Sequence, residues 1–149
     1  MKLKRKLEIL VVDDNPADIR LTQEVFRDLQ GSVHLHVAHD GENALEFLHR
    51  KHPFEQVPRP DLILLDLNMP RKDGREVLMD IKKDSDLRSI PVVVLTTSGA
   101  EKDVTESYGL HANCYITKPM NLPQFIKVVE SIQNFWLNTA VLPRVALEG

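Results

Sequence analysis

The stretch Leu62-Ile63-Leu64-Leu65-Asp66-Leu67-Asn68-Met69-Pro70 decides the fold. Its four consecutive apolar residues are typical of a strand that is buried on both faces, and a turn-like sequence follows them. Asp66 stands where that strand ends. In open α/β sheets the residues just beyond the carboxyl ends of the strands carry the chemistry, so we expect Asp66 to lie in a functional site.

Two other apolar runs end in charged residues in the same way. Leu7 to Val12 is followed by Asp13 and Asp14, and Asn113 to Thr117 is followed by Lys118. Because the carboxyl ends of parallel strands meet at one edge of a sheet, we expect three acids and a lysine to converge there. That combination predicts a metal-dependent phosphoryl site.

Strand-like and helix-like patterns alternate along the chain. The third strand is predicted at Asp61 to Leu65, and further strands are predicted at Val33 to Ala38 and Pro91 to Leu95. The Val33 to Ala38 run alternates apolar residues with histidines, which indicates an edge strand. Strands that alternate with helices favour a parallel sheet covered on both faces, so the predicted fold class is α/β with five strand-helix units.

The helix starts are marked by residues that cap helices. Asn15 before Pro16 and the later Asp40 predict the first two starts, with helix ends near Gly31 and Lys51. Three further starts are predicted from pairs at capping-box or similar spacing: Asp73 with Glu76, Ser98 with Glu101, and Asn121 with Gln124.

The bulk composition argues against several classes of protein. At 149 residues the chain suits one domain, and its formal net charge of -3 argues against a globally basic nucleic-acid binder. The basic start, residues 1–6, precedes an apolar stretch that is too short for a signal peptide or a membrane span. The single cysteine, Cys114, permits no internal disulfide. We therefore expect a cytoplasmic domain over residues 7–138, with a tail over residues 139–149.

Three carboxylates held together need an opposite charge. Free aspartates have a pKa near ~3.9, and a like-charged pair at about 4 Å costs on the order of 4 kcal/mol at an effective dielectric constant of about 20. Mg²⁺ suits such an all-oxygen site. Asp66 is the best placed of the three to accept a phosphoryl group, because a carboxylate can form an aspartyl phosphate. Lys118 and the Thr96 hydroxyl are then expected to bind phosphoryl oxygens.

Four motifs in order resemble those of response-regulator receiver domains, and the similarity spans Leu7 to Leu137. They are Val11-Val12-Asp13-Asp14-Asn15, Leu64-Leu65-Asp66-Leu67-Asn68-Met69-Pro70, Val94-Leu95-Thr96-Thr97 and Tyr115-Ile116-Thr117-Lys118-Pro119. The resemblance implies a flavodoxin-like five-stranded sheet of order 2-1-3-4-5, with Asp66 phosphorylated by a histidine kinase. It also implies that Asp14, Asp66 and the backbone carbonyl of Asn68 contact Mg²⁺, with Asp13 acting mostly through water.

The same resemblance implies a conformational switch. The family's threonine after strand four and its aromatic residue in strand five correspond to Thr96 and Tyr115. A phosphoryl oxygen that draws in the Thr96 hydroxyl leaves space for the Tyr115 ring to turn inward. The face formed by helix four, strand five and helix five then changes. The family also implies a cis peptide bond between Lys118 and Pro119.

A narrower resemblance concerns the partner. The proline-rich loop Pro53 to Pro60, the run Lys72 to Leu78 and the ending Asn134-Phe135-Trp136-Leu137 are similar to the small response regulators paired with cyanobacterial phytochromes. This resemblance implies a single-domain regulator whose kinase is a phytochrome-type light sensor. Its output is then expected to be docking to another protein.

The last predicted helix carries an apolar arc of roughly 200°, wider than the ~100° that a helix needs to face its own sheet. A second copy of the chain is expected to cover the excess, which gives a homodimer through helix five and the tail. A tail that folds back over its own helix stays an alternative. The expected dimer surface is formed by Phe125, Val128, Ile132, Phe135 and Trp136.

Other functions compare less well with these residues. A dehalogenase-like phosphatase also forms an aspartyl phosphate, but it has a second acid two residues after the nucleophile, where this chain has Asn68. A flavin- or nucleotide-binding module needs a phosphate cradle after strand one, where Asp13 and Asp14 repel a phosphate. A receiver-like interaction module that is never phosphorylated is disfavoured by the intact set of acid, threonine and lysine. We therefore expect a phosphoacceptor signalling protein rather than a metabolic enzyme.

Overall fold

The computed structural model describes residues 6–27 and 33–143. In these residues five β-strands and five α-helices alternate along the chain. The strands are β1 (Leu7–Val12), β2 (Val33–Ala38), β3 (Leu62–Leu65), β4 (Val92–Thr96) and β5 (Cys114–Thr117). The helices are α1 (Pro16–Arg27), α2 (Gly41–Leu48), α3 (Gly74–Lys83), α4 (Glu101–Gly109) and α5 (Leu122–Asn134), followed by a π-helical segment, Phe135–Thr139.

The sheet has the order β2-β1-β3-β4-β5, and every neighbouring pair of strands is parallel. β1 lies between β2 and β3, with Ile9 opposite both Leu35 and Leu62. The α/β fold class, the flavodoxin-like order 2-1-3-4-5 and the edge position of β2 are thereby confirmed. In such a sheet the chain reverses its direction of winding between β1 and β3, so a crevice opens beyond the carboxyl ends of these two strands.

The central strand β3 is packed from both sides. All four of its residues are buried. Because side chains alternate along a strand, Ile63 and Leu65 pack with α2 and α3, whereas Leu62 and Leu64 pack with α1 and α5. The strand that ends at Asp66 is therefore held between two apolar cores.

Side chains cap four helices where the sequence predicts their starts. Asn15, Asp40 and Asn121 each accept a hydrogen bond from a backbone N–H in the first turn of the helix that follows. Asp73 and Glu76 form a complete capping box at the start of α3. These caps depend on residues close together in sequence, which is why they are predictable.

The predicted cap of the fourth helix is wrong. α4 follows Ala100, and no side chain caps it. Ser98 Oγ accepts a weak hydrogen bond from the Ala100 N–H at 3.3 Å and itself donates to the Asp103 carboxylate. A capping box needs the acidic residue at the third helical position, but α4 begins at Glu101, so Ser98 lies two residues before the N-cap and cannot form the box.

Among the helix ends, one prediction differs from the structure and another is not tested by it. α2 ends at Leu48 rather than near Lys51, and the predicted end of the first helix near Gly31 lies outside the described residues. The expected cis bond between Lys118 and Pro119 is also wrong. Among the described peptide bonds only His52–Pro53 is cis. The trans isomer is favoured at an X-Pro bond by about 0.5–1 kcal/mol.

The apolar arc of α5 is largely covered by its own chain. Phe125 and Ile132 are each 3% exposed, in a core to which α1 and the sheet also contribute. Their assignment to a dimer surface is therefore wrong, because the arc is wide enough to cover the sheet and α1 together. Val128 and Trp136 pack partly against the same core, and Phe135 is half exposed.

The two terminal segments are described only in part. The predicted basic extension is represented by Lys6, and the predicted tail by residues 139–143, so the apolar tail residues Val145 and Leu147 lie outside the described residues. Within the described tail, Val141 is almost fully exposed. No helix in the described part of the chain has both the length and the apolar character needed to cross a membrane.

Gly74 allows α3 to approach the backbone that carries Asp66. A Cβ atom at Gly74 would lie 2.2 Å from the Asp66 carbonyl oxygen and 2.6 Å from the Cα of Leu67. The Gly74 N–H donates to the Leu67 carbonyl oxygen at 2.9 Å. The start of α3 therefore supports the turn immediately after Asp66.

Gly74→Ala should lower the free energy of unfolding by about 1–3 kcal/mol, because the added methyl group forces the backbone apart. Urea denaturation measures this change. Gly109→Ala at the end of α4 is the matched control, since an added Cβ meets no atom within 4 Å there. The control should keep or slightly raise stability. An equal loss in both variants would contradict the close approach at Gly74.

Candidate functional site

Three charged residues are fixed at the carboxyl edge of the sheet by hydrogen bonds that continue its ladders. The backbone N–H groups of Asp13, Asp66 and Lys118 donate to the last carbonyls of β2, β1 and β4, over 3.1, 2.9 and 2.6 Å. Each residue directly follows a strand, as the sequence predicts. The main chain, rather than flexible loops, therefore brings these side chains together.

The ammonium group of Lys118 lies among three carboxylates. Its Nζ donates to Asp13 Oδ2 at 2.7 Å, to Asp18 Oδ2 at 2.9 Å and to Asp66 Oδ2 at 3.4 Å. Lys118 is 4% exposed, and Asp13 and Asp66 are also buried. The predicted convergence of Asp13, Asp66 and Lys118 is found in the structure, with Asp18 as an additional member.

Burial and charge act in opposite directions on these groups. Burial alone lowers the pKa of Lys118, but the hydrogen bond and charge of Asp13, followed by Asp66 and Asp18, raise it above its ordinary value. Burial raises the pKa of Asp13, although the hydrogen bond from Lys118 works against this. Lys118 is accordingly a permanent cation at the centre of the site.

Three carboxylates form a group that suits a metal ion. One oxygen from each of Asp13, Asp14 and Asp66 lies within 4.8 Å of the other two. The exposed Asp14 carboxylate takes no hydrogen bond or ion pair from the residues that the structure describes. Hard divalent cations prefer oxygen ligands, and the Asp14 carboxylate has no partner among the described residues, so these three aspartates suit such an ion.

Asn68 links Asp66 to Thr96. Its backbone N–H donates to Asp66 Oδ1 at 3.3 Å, and its side-chain amide donates to Thr96 Oγ1 at 3.4 Å. Thr96 is fully buried at the end of β4. The structure thus places Asn68 and Thr96 beside Asp66, while the metal contact expected of the Asn68 carbonyl stays a prediction.

Tyr115 lies on β5 and is half buried. Its hydroxyl donates to the backbone carbonyl of Ser98 at 2.6 Å, two residues beyond Thr96. Burial raises the pKa of the Tyr115 hydroxyl, so it stays protonated and acts as a donor at neutral pH. Tyr115 is therefore connected to the segment that follows Thr96.

An ion-pair network between α3 and α4 was not found by the sequence analysis. Arg75 of α3 contacts the carboxylates of Asp103 and Glu106 on α4, the latter at 2.9 Å. The hydrogen bond from Ser98 and the contact with Arg75 lower the pKa of Asp103. Ser107 is the one buried residue of α4, a helix that is fully described. Polar contacts rather than apolar packing therefore hold α4.

Asp18 and Gly74 are the other residues that sequence reasoning missed. Asp18 lies in the first turn of α1, where acidic residues are common because they interact favourably with the helix dipole, so its position gives no specific signal of a site. It was missed because its partner, Lys118, is 100 residues away in the chain. Gly74 follows the cap residue Asp73, and its role depends on the approach of α3 to β3.

The chain is similar to response regulators. A family model described as the response regulator receiver domain matches residues 9–130. The response regulator Rcp1 of Synechocystis sp. is 53% identical over 135 residues, which cover 91% of this chain and 92% of that protein. The crystal structure of the phosphorylated cyanobacterial phytochrome response regulator RcpA has a TM-score of 0.91 at 49% identity and covers 94% of this chain and 100% of its own. The Mn²⁺-bound form of Rcp1 has a TM-score of 0.89 at 52% identity and covers 93% and 99%.

Mg²⁺ should stabilise the folded protein, because the acids converge only after folding. At a concentration about 100 times the dissociation constant the gain should be about 2.7 kcal/mol, measured by thermal unfolding with Mg²⁺ and with EDTA. Asp14→Asn should lose most of this gain. It should also be more stable than the wild type in EDTA, because one repulsive charge is removed.

Asp80→Asn is the control for the magnesium experiment. Asp80 pairs with Lys72 at 2.9 Å on the surface, so this variant should keep the full gain. Equal gains in the wild type and both variants would show that Mg²⁺ binds elsewhere.

Proposed function

The chain belongs to the response regulator receiver domain family, and on that basis we propose that it accepts a phosphoryl group on Asp66 from a histidine kinase. It is a response regulator related to the response regulator Rcp1 and to the cyanobacterial phytochrome response regulator RcpA. The observation that carries the proposal is the position of Asp66, which is buried beside two further acids and lies 3.4 Å from the Lys118 ammonium.

The residues of the site have different roles in phosphoryl transfer. Asp13, Asp14, Asp66 and the Asn68 carbonyl would hold Mg²⁺, with Asp13 acting through water, and the ion supplies positive charge that offsets the carboxylates and the phosphoryl oxygens. An ionised oxygen of Asp66 forms the new bond to phosphorus as the bond from phosphorus to the donor nitrogen breaks. The electron pair of that bond leaves with the donor. Lys118 donates a hydrogen bond to a phosphoryl oxygen.

The resulting acyl phosphate on Asp66 is the signal. Water ends the signal by hydrolysing it. Its chemistry is limited to accepting and losing the phosphoryl group, so we propose no metabolic substrate.

We propose that Thr96 and Tyr115 transmit the signal to α4. The Thr96 hydroxyl exchanges its long contact with Asn68 for a phosphoryl oxygen, and this displaces the segment that leads to Ser98. Tyr115 bonds to Ser98 and α4 buries only one side chain, so both can rearrange with small loss of apolar packing. The face of α4, β5 and α5 also carries exposed apolar side chains suited to docking: Tyr108, Met120 and Leu122.

We propose that the kinase is a phytochrome-type light sensor. RcpA is a cyanobacterial phytochrome response regulator, and this chain is 49% identical to it over 94% of its own length. The bacteriophytochrome response regulator AtBRR, with a TM-score of 0.71 and 37% identity, gives further support. Because the similarity extends over the whole receiver fold, it supports a similar surface on this chain for contact with the kinase.

Phosphotransfer from a phytochrome-type histidine kinase tests this function. With Mg²⁺ present, the wild type should take up radiolabelled phosphoryl from the phosphorylated kinase, while Asp66→Asn should take up none, because an amide cannot accept it. Asp80→Asn, which removes a surface acid of α3, should be labelled like the wild type. Label on Asp66→Asn would contradict the site. A wild type unlabelled by any kinase or by acetyl phosphate would contradict the function.

We also propose a homodimer through the fifth helix, which comprises α5 and its π-helical continuation Phe135–Thr139, and the tail. Phe135 is 50% exposed and Val141 is 96% exposed, and two copies of such a surface could bury each other's apolar side chains.

The dimer is tested by light scattering with Phe135→Glu. The wild type should be a dimer and the variant a monomer, because a carboxylate is costly to bury in an apolar contact. Met120→Glu, at a fully exposed position before α5, should remain a dimer. A monomeric wild type, whether phosphorylated or not, would overturn the proposal.

A further inference from the structure

Asp18 is a fourth acid at the site, and the helix fixes its position. Its N–H donates to Asn15 Oδ1 at 3.2 Å, and its carbonyl accepts from the Thr22 hydroxyl at 2.8 Å. Its carboxylate accepts from Lys118 Nζ at 2.9 Å. The Asp18 side chain is 22% exposed, while that of Lys118 is 3% exposed. Asp18 therefore reaches inward from the solvent side to a buried ammonium group.

The contact matters because an ammonium group has three N–H donors. In Lys118 these face Asp13 at 2.7 Å, Asp18 at 2.9 Å and Asp66 at 3.4 Å. In this unphosphorylated arrangement no donor is free for a phosphoryl oxygen, so one of the three contacts has to open before Lys118 can bind one. The longest of the three contacts is the one to Asp66, so the cation lies closer to the two acids that do not accept the phosphoryl group.

We propose that Asp18 is a positioning residue that holds Lys118 away from Asp66 and thereby slows phosphoryl acceptance. The inference rests on the proposed function and adds a residue outside the motifs of the sequence analysis. Asp18 occupies one donor of Lys118, and its negative charge opposes an anionic phosphodonor. It also adds to the negative potential that attracts a divalent cation at Asp13, Asp14 and Asp66.

Removing the negative charge of Asp18 changes the phosphorylation rate and the Mg²⁺ affinity in opposite directions. Without it, Lys118 turns toward Asp66 and an anionic donor meets less repulsion, so phosphorylation is faster. The acids lose a negative neighbour, so Mg²⁺ binds less tightly. A purely structural role gives another pattern, because an acid in the first turn of a helix also stabilises that helix. Loss of structure alone would slow phosphorylation and weaken Mg²⁺ binding together.

Asp18→Asn separates these explanations. Two quantities are measured: the phosphorylation rate with acetyl phosphate at saturating Mg²⁺, and the Mg²⁺ affinity of the unphosphorylated protein by calorimetry. Loss of one charge at this distance should raise the rate about threefold to tenfold and weaken Mg²⁺ binding about twofold to threefold. Asp18→Glu, which keeps the charge, should lie near the wild type in both.

Glu24→Gln is the matched control. It removes one negative charge from the same helix, about 9 Å further along its axis at 1.5 Å per residue. Glu24 forms an exposed pair with Arg27 at 3.9 Å. The control should change neither quantity, which excludes an effect of net charge alone.

Each combination of results for the Asp18 and Glu24 variants either supports or overturns the proposed role of Asp18. A faster rate together with weaker Mg²⁺ binding in Asp18→Asn, and neither change in Glu24→Gln, supports it. Any other combination overturns it. If the wild type accepts no phosphoryl group, the proposed function fails, and the inference fails with it because there is no phosphorylation for Asp18 to slow. A wild type that is phosphorylated at a rate that Asp18→Asn does not exceed overturns the inference alone.

Discussion

The balance of charge around Lys118 is the constraint on which the site depends. One buried ammonium group faces Asp13, Asp18 and Asp66, and Asp14 adds a further negative charge nearby. Buried ions are costly unless they are paired and hydrogen-bonded, and Lys118 meets both conditions through all three of its donors. The acids still outnumber the cation. This excess of negative charge suits the site to binding a divalent cation rather than to stabilising the fold.

The site around Asp66 is supported by extensive packing, whereas helix α4 is held by few buried contacts. Asp66 follows a strand buried between two cores, and the turn after it is supported by the close approach of Gly74. α4 instead buries Ser107 alone and is tied to α3 by Arg75. Elements with few buried apolar contacts rearrange at the lowest free-energy cost. This contrast supports the proposed switch, in which a charge added at Asp66 moves α4, a few residues beyond Thr96.

Features set by neighbours in sequence were predicted well. β1 and β2 have the predicted bounds, and the caps at Asn15, Asp40, Asp73 and Asn121 are in place, because each depends on a few adjacent residues. The prediction failed at Ser98, because α4 begins at Glu101, two residues later than a capping box from Ser98 to Glu101 requires. It also failed for the apolar arc of α5. A sequence shows how wide such an arc is but not how many neighbours cover it.

Local sequence patterns were enough to predict the parallel sheet and the meeting of Asp13, Asp14, Asp66 and Lys118 at one edge. Apolar runs that end in charged residues impose this result once all strands point the same way. The packing of the elements in three dimensions was needed to show that Asp18 contacts Lys118, that Arg75 links α3 to α4, and that α5 covers α1 as well as the sheet. These contacts join residues from separate elements. Their distances depend on how helices pack, which local patterns do not specify.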